Sequence, residues 1–221
     1  MKNRKSKWIW GGICLFIFII TIFTLIFRET ILLKAGNFMA PAGPDYKADV
    51  AILEGSEFIS TGFITTGMEL LSSGRVKRLV IVLQNIAPTD RPYGINGNYP
   101  DIVLQKLKNL GLKETEFKVI VVHIGNPVTL KEAEAVLKVL SKDNIKSAIL
   151  LSQGFHTRRS YLAYQYVGIP LQIKIFPSAF FTNYQLNNWW NQEPGVRDFT
   201  AELLKLGYYL AGGYIPFKFS Y

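Results

Sequence analysis

The sequence predicts an α/β protein: a Rossmann-like three-layer α/β/α domain with a mostly parallel sheet of about five strands, preceded by one N-terminal transmembrane helix. Three observations lead there. Five compact runs rich in Val, Ile and Leu recur along the chain as continuous apolar blocks. Strands that alternate apolar with polar residues face water on one side, whereas unbroken blocks belong to strands covered on both faces. Segments of helical spacing separate these blocks, which implies right-handed crossovers and a parallel sheet. Ahead of both lies WIWGGICLFIFIITIFTLIF, residues 8–27, a stretch without a charge. Its length matches the roughly 20 helical residues that cross a hydrocarbon core.

The elements follow in order. Residues 1–7 form a basic tail with Lys2, Arg4, Lys5 and Lys7. The positive-inside rule keeps this tail in the cytoplasm and places the remainder outside the membrane. The first Ala-x-Ala after the apolar run, Ala40-Pro41-Ala42, is far from the apolar end and contains a proline, so residues 8–27 are expected to be an uncleaved anchor rather than a signal peptide. Cys14, the single cysteine, is expected to face lipid. Residues 28–47, ending in FMAPAGPDYK, read as a linker, and the domain occupies 48–221. Within it, strands are expected at ADVAILEG (48–55), KRLVIVLQN (77–85), FKVIVVHIG (117–125), KSAILLSQG (146–154) and LQIKIFP (171–177). The fourth is expected to be central. Helices are expected to end at Gly74 and near Gly111, and to span about 129–142, 156–167 and 196–211.

Charge narrows the partners. Of the formal +9, residues 1–30 contribute five basic and one acidic side chain, and the other 191 contribute 20 basic and 15 acidic. Much of the excess is therefore a topology signal. No basic run with interleaved aromatics suggests a nucleic-acid groove. A lipid bilayer and an anionic ligand fit better.

In parallel sheets, ligands gather beyond the carboxyl ends of the strands. Here those ends carry Glu54, Gly55 and Ser56; Asn85; Asn126; and Ser152, Gln153, Gly154 and His156. Gly154 permits a tight turn into a helix whose first N–H groups lack partners, which makes a ready anion site. His156 and Arg159 are three residues apart and share a helical face. Arg159 offers a planar fork for phosphate or carboxylate, and His156 a proton near neutral pH. Arg158 leaves from another face, toward solvent or headgroups. The structural alternative makes His156 a packing residue and Arg159 a surface cation. Glu54 reads as a general base, as a counter-charge to Arg159, or as a strand-end salt bridge. Thr129-x-x-Glu132 before a helix reads first as a capping box. His123 reads as a hydrogen-bonded core histidine. Of Trp189 and Trp190, one is expected to be buried and the other to rim a pocket.

No metal site is expected, because two histidines on different strands and no cysteine in the domain do not make a ligand set. Gly-x-Ser-x-Gly is absent, which leaves no serine nucleophile elbow, and the absence of a P-loop and of a dinucleotide fingerprint leaves a nucleotide cofactor without support; the sequence names no other cofactor.

Several segments together resemble one family. ADVAILEG as first strand, ELLSSGRVKRLVIV as helix end into second strand, PVTLKEAEAVLKVL as a Thr-x-x-Glu helix, and above all AILLSQGFHTRRS, with its Phe-His-x-x-Arg, are similar to the YdcF-like family of SanA/ElyC-type bacterial envelope proteins. The resemblance covers about residues 46–212. It implies that His156, Arg159, Thr129 and Glu132 occupy family site positions. Three features depart from that pattern: EGSEF replaces a glycine-rich turn, STGFITTG lacks an arginine, and Leu83-Gln84-Asn85 replaces Ser-Gly-Gly. The resemblance implies a protein of the bacterial inner membrane. Its extracytoplasmic domain is then expected to bind, and process, an anionic, phosphate-containing or lipid-linked cell-envelope or cell-wall intermediate. The alternatives are a non-catalytic envelope scaffold or regulator with a degenerate pocket, and a cytoplasmic enzyme on a reversed anchor.

Overall fold

A computed structural model describes residues 2–43, 45–55, 59–84, 99–123 and 125–216 of the chain. Ser56 and Asn85, expected at strand ends, lie outside the described residues, as does the end of the aromatic tail.

Among the described residues the chain is α/β, with five parallel strands and seven α-helices. The strands are β1 (Val50–Glu54), β2 (Arg78–Gln84), β3 (Phe117–Val122), β4 (Ser147–Gln153) and β5 (Lys174–Phe180). Helices α1 (Lys2–Ile26) and α2 (Arg28–Met39) precede them. Then come α3 (Thr61–Ser72), α4 (Tyr99–Asn109), α5 (Val128–Lys142), α6 (His156–Gly168) and α7 (Glu193–Ala211). The sheet order is β3-β2-β1-β4-β5. β1 is therefore the central strand, with β4 beside it rather than at the centre. Ala148, Ile149, Leu150 and Leu151 of β4 are fully buried, as a two-sided sheet requires.

Successive strand residues feed opposite faces. Val50 and Ile52, Val80 and Val82, and Ala148 and Leu150 pack on one side with α5, α6 and α7. Ala51 and Leu53, Leu79, Ile81 and Leu83, and Ile149 and Leu151 pack on the other with α3 and α4. The continuous apolar runs thus supply two cores at once, one residue to each in turn. Asp49 fixes the β1–β4 register: its Oδ2 accepts from the backbone N–H of Lys146 and Ser147 and from Ser147 Oγ, each at 3.0 Å. Those bonds, together with the nearby Lys77, hold its carboxyl below the usual range despite partial desolvation.

The N-terminal region differs from the expectation in two ways. Among the described residues no single helix is long and apolar enough to cross a membrane. Gly12–Ile26 and Arg28–Met39 pass that test only as a pair, bent by 72°. Second, residues 28–39, read as linker, are helical and join the domain. Met39 and Ala40 are buried in the core. Leu32 accepts a hydrogen bond from Trp189 Nε1 at 3.2 Å, and the Arg158 guanidinium lies 4.2 Å from the centre of the Phe38 ring. The apolar spacing of Leu32, Gly36 and Met39 was masked by the Pro/Gly-rich residues that follow. Gly36 is required where it stands, because a Cβ there would sit 2.8 Å from Trp189 Nε1.

Candidate functional site

The strand order reverses between β1 and β4, since β2 and β3 follow on one side and β5 on the other. Parallel sheets open a crevice at such a switch point, beyond the carboxyl ends of the two strands. A cavity of about 360 Å³ lies there. Its lining includes Glu54 and Gly55 from the end of β1, Gln84 from β2, Gln153, Phe155 and His156 after β4, Thr129 and Glu132 from α5, and Arg197, Glu202 and Lys205 from α7. A second cavity of about 240 Å³ shares Glu54, Gln153 and Asn183 with it.

Two glutamates form the floor. Glu54 accepts hydroxyl protons from Ser152 on one oxygen and Ser160 on the other. Its side chain is 4% exposed. Glu132 accepts from Gln84 Nε2 at 3.3 Å and from Tyr164 at 3.2 Å. Desolvation pushes its carboxyl up to about 8, reinforced by the charge of Glu54 and by a hydrogen bond to it. Near neutral pH, Glu132 thus keeps its proton and donates it to Glu54. Burial also raises the Tyr164 phenol well above its ordinary value, with both glutamates adding to the effect. Two carboxyls in one desolvated site cannot both ionise cheaply, which is how one of them is kept as an acid.

A second network forms the wall. Arg159 is 6% exposed. Its Nε donates to Glu202 Oε2 at 2.9 Å and its Nη2 to Glu202 Oε1 at 3.1 Å. Its Nη1 donates to the Thr129 hydroxyl. Burial alone would raise the Glu202 carboxyl. The hydrogen bond and charge of His156, with Arg159 and Lys205, instead hold it well below the usual range. His156 joins the two networks. Its Nδ1 lies 3.0 Å from Arg159 Nη2 and 3.3 Å from Glu202 Oε2. Its Nε2 lies 3.9 Å from Glu54 Oε1. When the imidazole is neutral, Nδ1 accepts from Arg159 and the Nε2 proton faces Glu54. When it is charged, Nδ1 donates to Glu202. Either way the ring is held with one nitrogen toward the cavity.

The Arg159 fork does not stand open for a ligand: its Nε and Nη2 are taken by Glu202, because α7 packs over α6 and brings an internal carboxylate to it, and its Nη1 is taken by Thr129. The counter-charge of Arg159 is thus Glu202, not Glu54. Thr129 and Glu132 do not form a capping box. α5 begins one residue earlier, with Pro127 at its N-cap and no side-chain cap. The Thr129 N–H donates instead to Tyr209 on α7 at 3.0 Å. Asn126 is exposed and lies outside the cavity lining. His123 is exposed rather than in the core. Arg158 packs on α2, not into solvent. Trp189 is buried in an aromatic cluster with Phe155 and Phe199, whereas Trp190 packs against the core away from the cavity.

Other candidates come together. Gly154, at φ +51, makes the turn that carries the chain from β4 into α6, and Ser152, Gln153 and His156 reach the site around it. Gly55 lets β1 pass close to β2, where a Cβ would meet the Val82 carbonyl at 2.7 Å. Residues missed from sequence are Glu202, Ser160, Tyr164 and Lys205. The spacing His156, Ser160, Tyr164 is a run of i, i+4 positions that marked the inward face of α6. Glu202 carried no local signal, since only the packing of α7 brings it in. Among the described residues no three His, Cys, Asp or Glu are grouped to hold a metal ion.

Neither protein-family models nor curated proteins match this chain.

Proposed function

We propose that this chain is a membrane-anchored bacterial envelope protein. In this reading its α/β domain binds and processes an anionic, phosphate-containing envelope intermediate by acid–base catalysis. One observation carries the reading: the Glu54–Glu132 pair, buried beside His156 in a cavity at the sheet's switch point. Burying two carboxyls is expensive, and apolar residues of similar volume would serve the fold at least as well. Perturbed acid groups in a cleft are the mark of a functional site.

The roles follow from position. Lys205 and Arg197, exposed at the rim, attract the anion; their side chains are 57% and 67% exposed. His156 donates Nε2–H to it or exchanges a proton with it. Glu132 supplies a proton to a leaving oxygen, while Glu54, oriented by Ser152 and Ser160, accepts one from the attacking hydroxyl or water. Arg159 and Glu202 act through His156 by fixing its ring. The N-terminal placement is supported by the uncharged run and its basic flank.

The test uses the full chain in lipid nanodiscs, with pyrophosphate and a short isoprenyl diphosphate as probes followed by ³¹P NMR. Wild type is expected to bind and hydrolyse a probe. Glu132→Gln should retain binding and lose turnover by roughly 10²- to 10⁴-fold. Absence of binding to every phosphate probe overturns the reading. Binding with no turnover by wild type favours instead the non-catalytic scaffold, a reading supported by one observation: the Arg159 charge is already neutralised by Glu202.

A further inference from the structure

α7 has three faces. One is buried through Gly195, Glu202, Leu206 and Tyr209. A second lines the cavity through Arg197, Asp198, Ala201 and Lys205. The third is exposed at Val196, Thr200, Leu203, Leu204, Gly207, Tyr208 and Ala211; Glu193 and Arg197 bring charge to it only at its N-terminal end, and the three turns from Thr200 to Ala211 carry none on this face. Leu204 is 71% exposed and Tyr208 57%. A helix face turned to water normally carries charged residues, so this one calls for a cover.

The neighbouring elements say what the cover is. α2 packs against both α6 and α7. It has exposed apolar residues of its own, Ile31, Leu33 and Phe38. It continues directly into α1, whose described apolar side chains are exposed along its length. With α1 along the membrane normal, the 72° bend sets α2 nearly in the membrane plane. That places α7, held on α2, at the level of the headgroups.

We propose that the outer face of α7 lies in the surface of the bilayer that α1 crosses, docking the domain so that the α7 wall of the cavity opens at the membrane. The face then enters the headgroup–acyl boundary as an interfacial amphipathic helix does. Lys205 and Arg197, on the adjoining face, meet the headgroup phosphates. A ligand with an anionic head and an apolar tail reaches Glu54 and His156 without leaving the lipid surface. This inference rests on the membrane-anchored reading above and adds a second contact to it.

The experiment uses the full chain in nanodiscs, with Cys14, the only cysteine, replaced by serine. Single cysteines are introduced as Ile20→Cys in α1, Leu204→Cys in α7 and Ile102→Cys in α4, a helix on the other side of the sheet. Each is labelled with an environment-sensitive fluorophore and challenged with lipid-borne and water-borne quenchers. The inference predicts that lipid-borne quenchers reduce the signal at positions 20 and 204, with 20 deeper, and that only the water-borne quencher reaches 102. If position 20 is quenched from lipid while 204 is quenched from water, α7 docking is wrong and the anchor stands. If position 20 is itself quenched from water, the anchored reading fails first. If 204 is shielded from both quenchers and cross-links to a second copy, the face is a protein interface and the proposal is overturned.

Discussion

Glu132→Gln should make the protein more stable, by an amount that grows as the pH rises from about 4.5 to 8. In the unfolded chain Glu132 titrates near 4.5; in the fold its carboxyl is pushed up to about 8. Below 4.5 it is protonated in both states and contributes no pH dependence. As the pH rises from there, the unfolded state releases the proton while the native state retains it, so the free energy of unfolding falls with pH. At about 1.4 kcal/mol per pH unit, the loss accumulated by pH 8 is on the order of 5 kcal/mol. Glutamine has the same shape and no titration, and its amide donates to Glu54 as the shared proton does. Stability of both proteins is measured by denaturant unfolding in a single detergent between pH 4 and 9. The curves should run together at pH 4 and diverge steadily from about pH 5 up to about pH 8, with the variant above. Parallel curves throughout would refute the protonated pair. Glu202 gives the opposite limb. Its carboxyl is held low by His156, Arg159 and Lys205 against the effect of burial, so the stability it contributes is present above its unfolded value and is lost as the pH falls through the acid range.

The remaining predictions concern the wall, the docked helix and topology. Arg159→Ala leaves Glu202 buried without its bidentate partner and should destabilise by about 3–5 kcal/mol, whereas Arg158→Ala removes one stacking contact on Phe38, worth about 0.5–1 kcal/mol; equal effects in thermal unfolding would contradict the network. Gly36→Val drives a branched side chain into the Trp189 indole and should release α2, seen as faster proteolysis in residues 40–49, while Thr66→Val on α3, across the sheet, should not; unchanged proteolysis would show that the close contact with Trp189 is not what seats the helix. A C-terminal alkaline phosphatase fusion should be active and a cytoplasmic fluorescent fusion dark; the reverse would remove the envelope placement.

The sheet was legible because its signal is local. Each strand is an unbroken apolar run, and Gly74 and Gly111, at φ +68 and +90, end helices where a turn needs a left-handed residue. Glu54, Ser152 and His156 were legible because strand ends are fixed by the runs themselves. The role of Arg159 was not. A charged residue's partner depends on which helix packs over it, and Glu202 is 43 positions away on α7. Thr129 and Glu132 misled for a related reason: Thr-x-x-Glu has a local use at a helix start, and only tertiary contacts with Arg159, Gln84 and Tyr164 revealed that both side chains serve the cavity. α2 was lost to the Pro/Gly-rich residues after it, though its Leu32, Gly36 and Met39 already carried the helical spacing.

The acid–base role of the site requires a proton held between Glu54 and Glu132. Infrared difference spectroscopy of the full chain in nanodiscs, titrated from pH 4 to 10, tests this directly. The carbonyl stretch of a protonated carboxylic acid is absent from ionised carboxylates. The predicted result is one such band that persists through pH 7, disappears with a midpoint near 8, and is missing from Glu132→Gln at every pH above 6. Loss of every protonated-carboxyl band by pH 6 in the wild type would contradict it, and with it the acid–base role assigned to the pair.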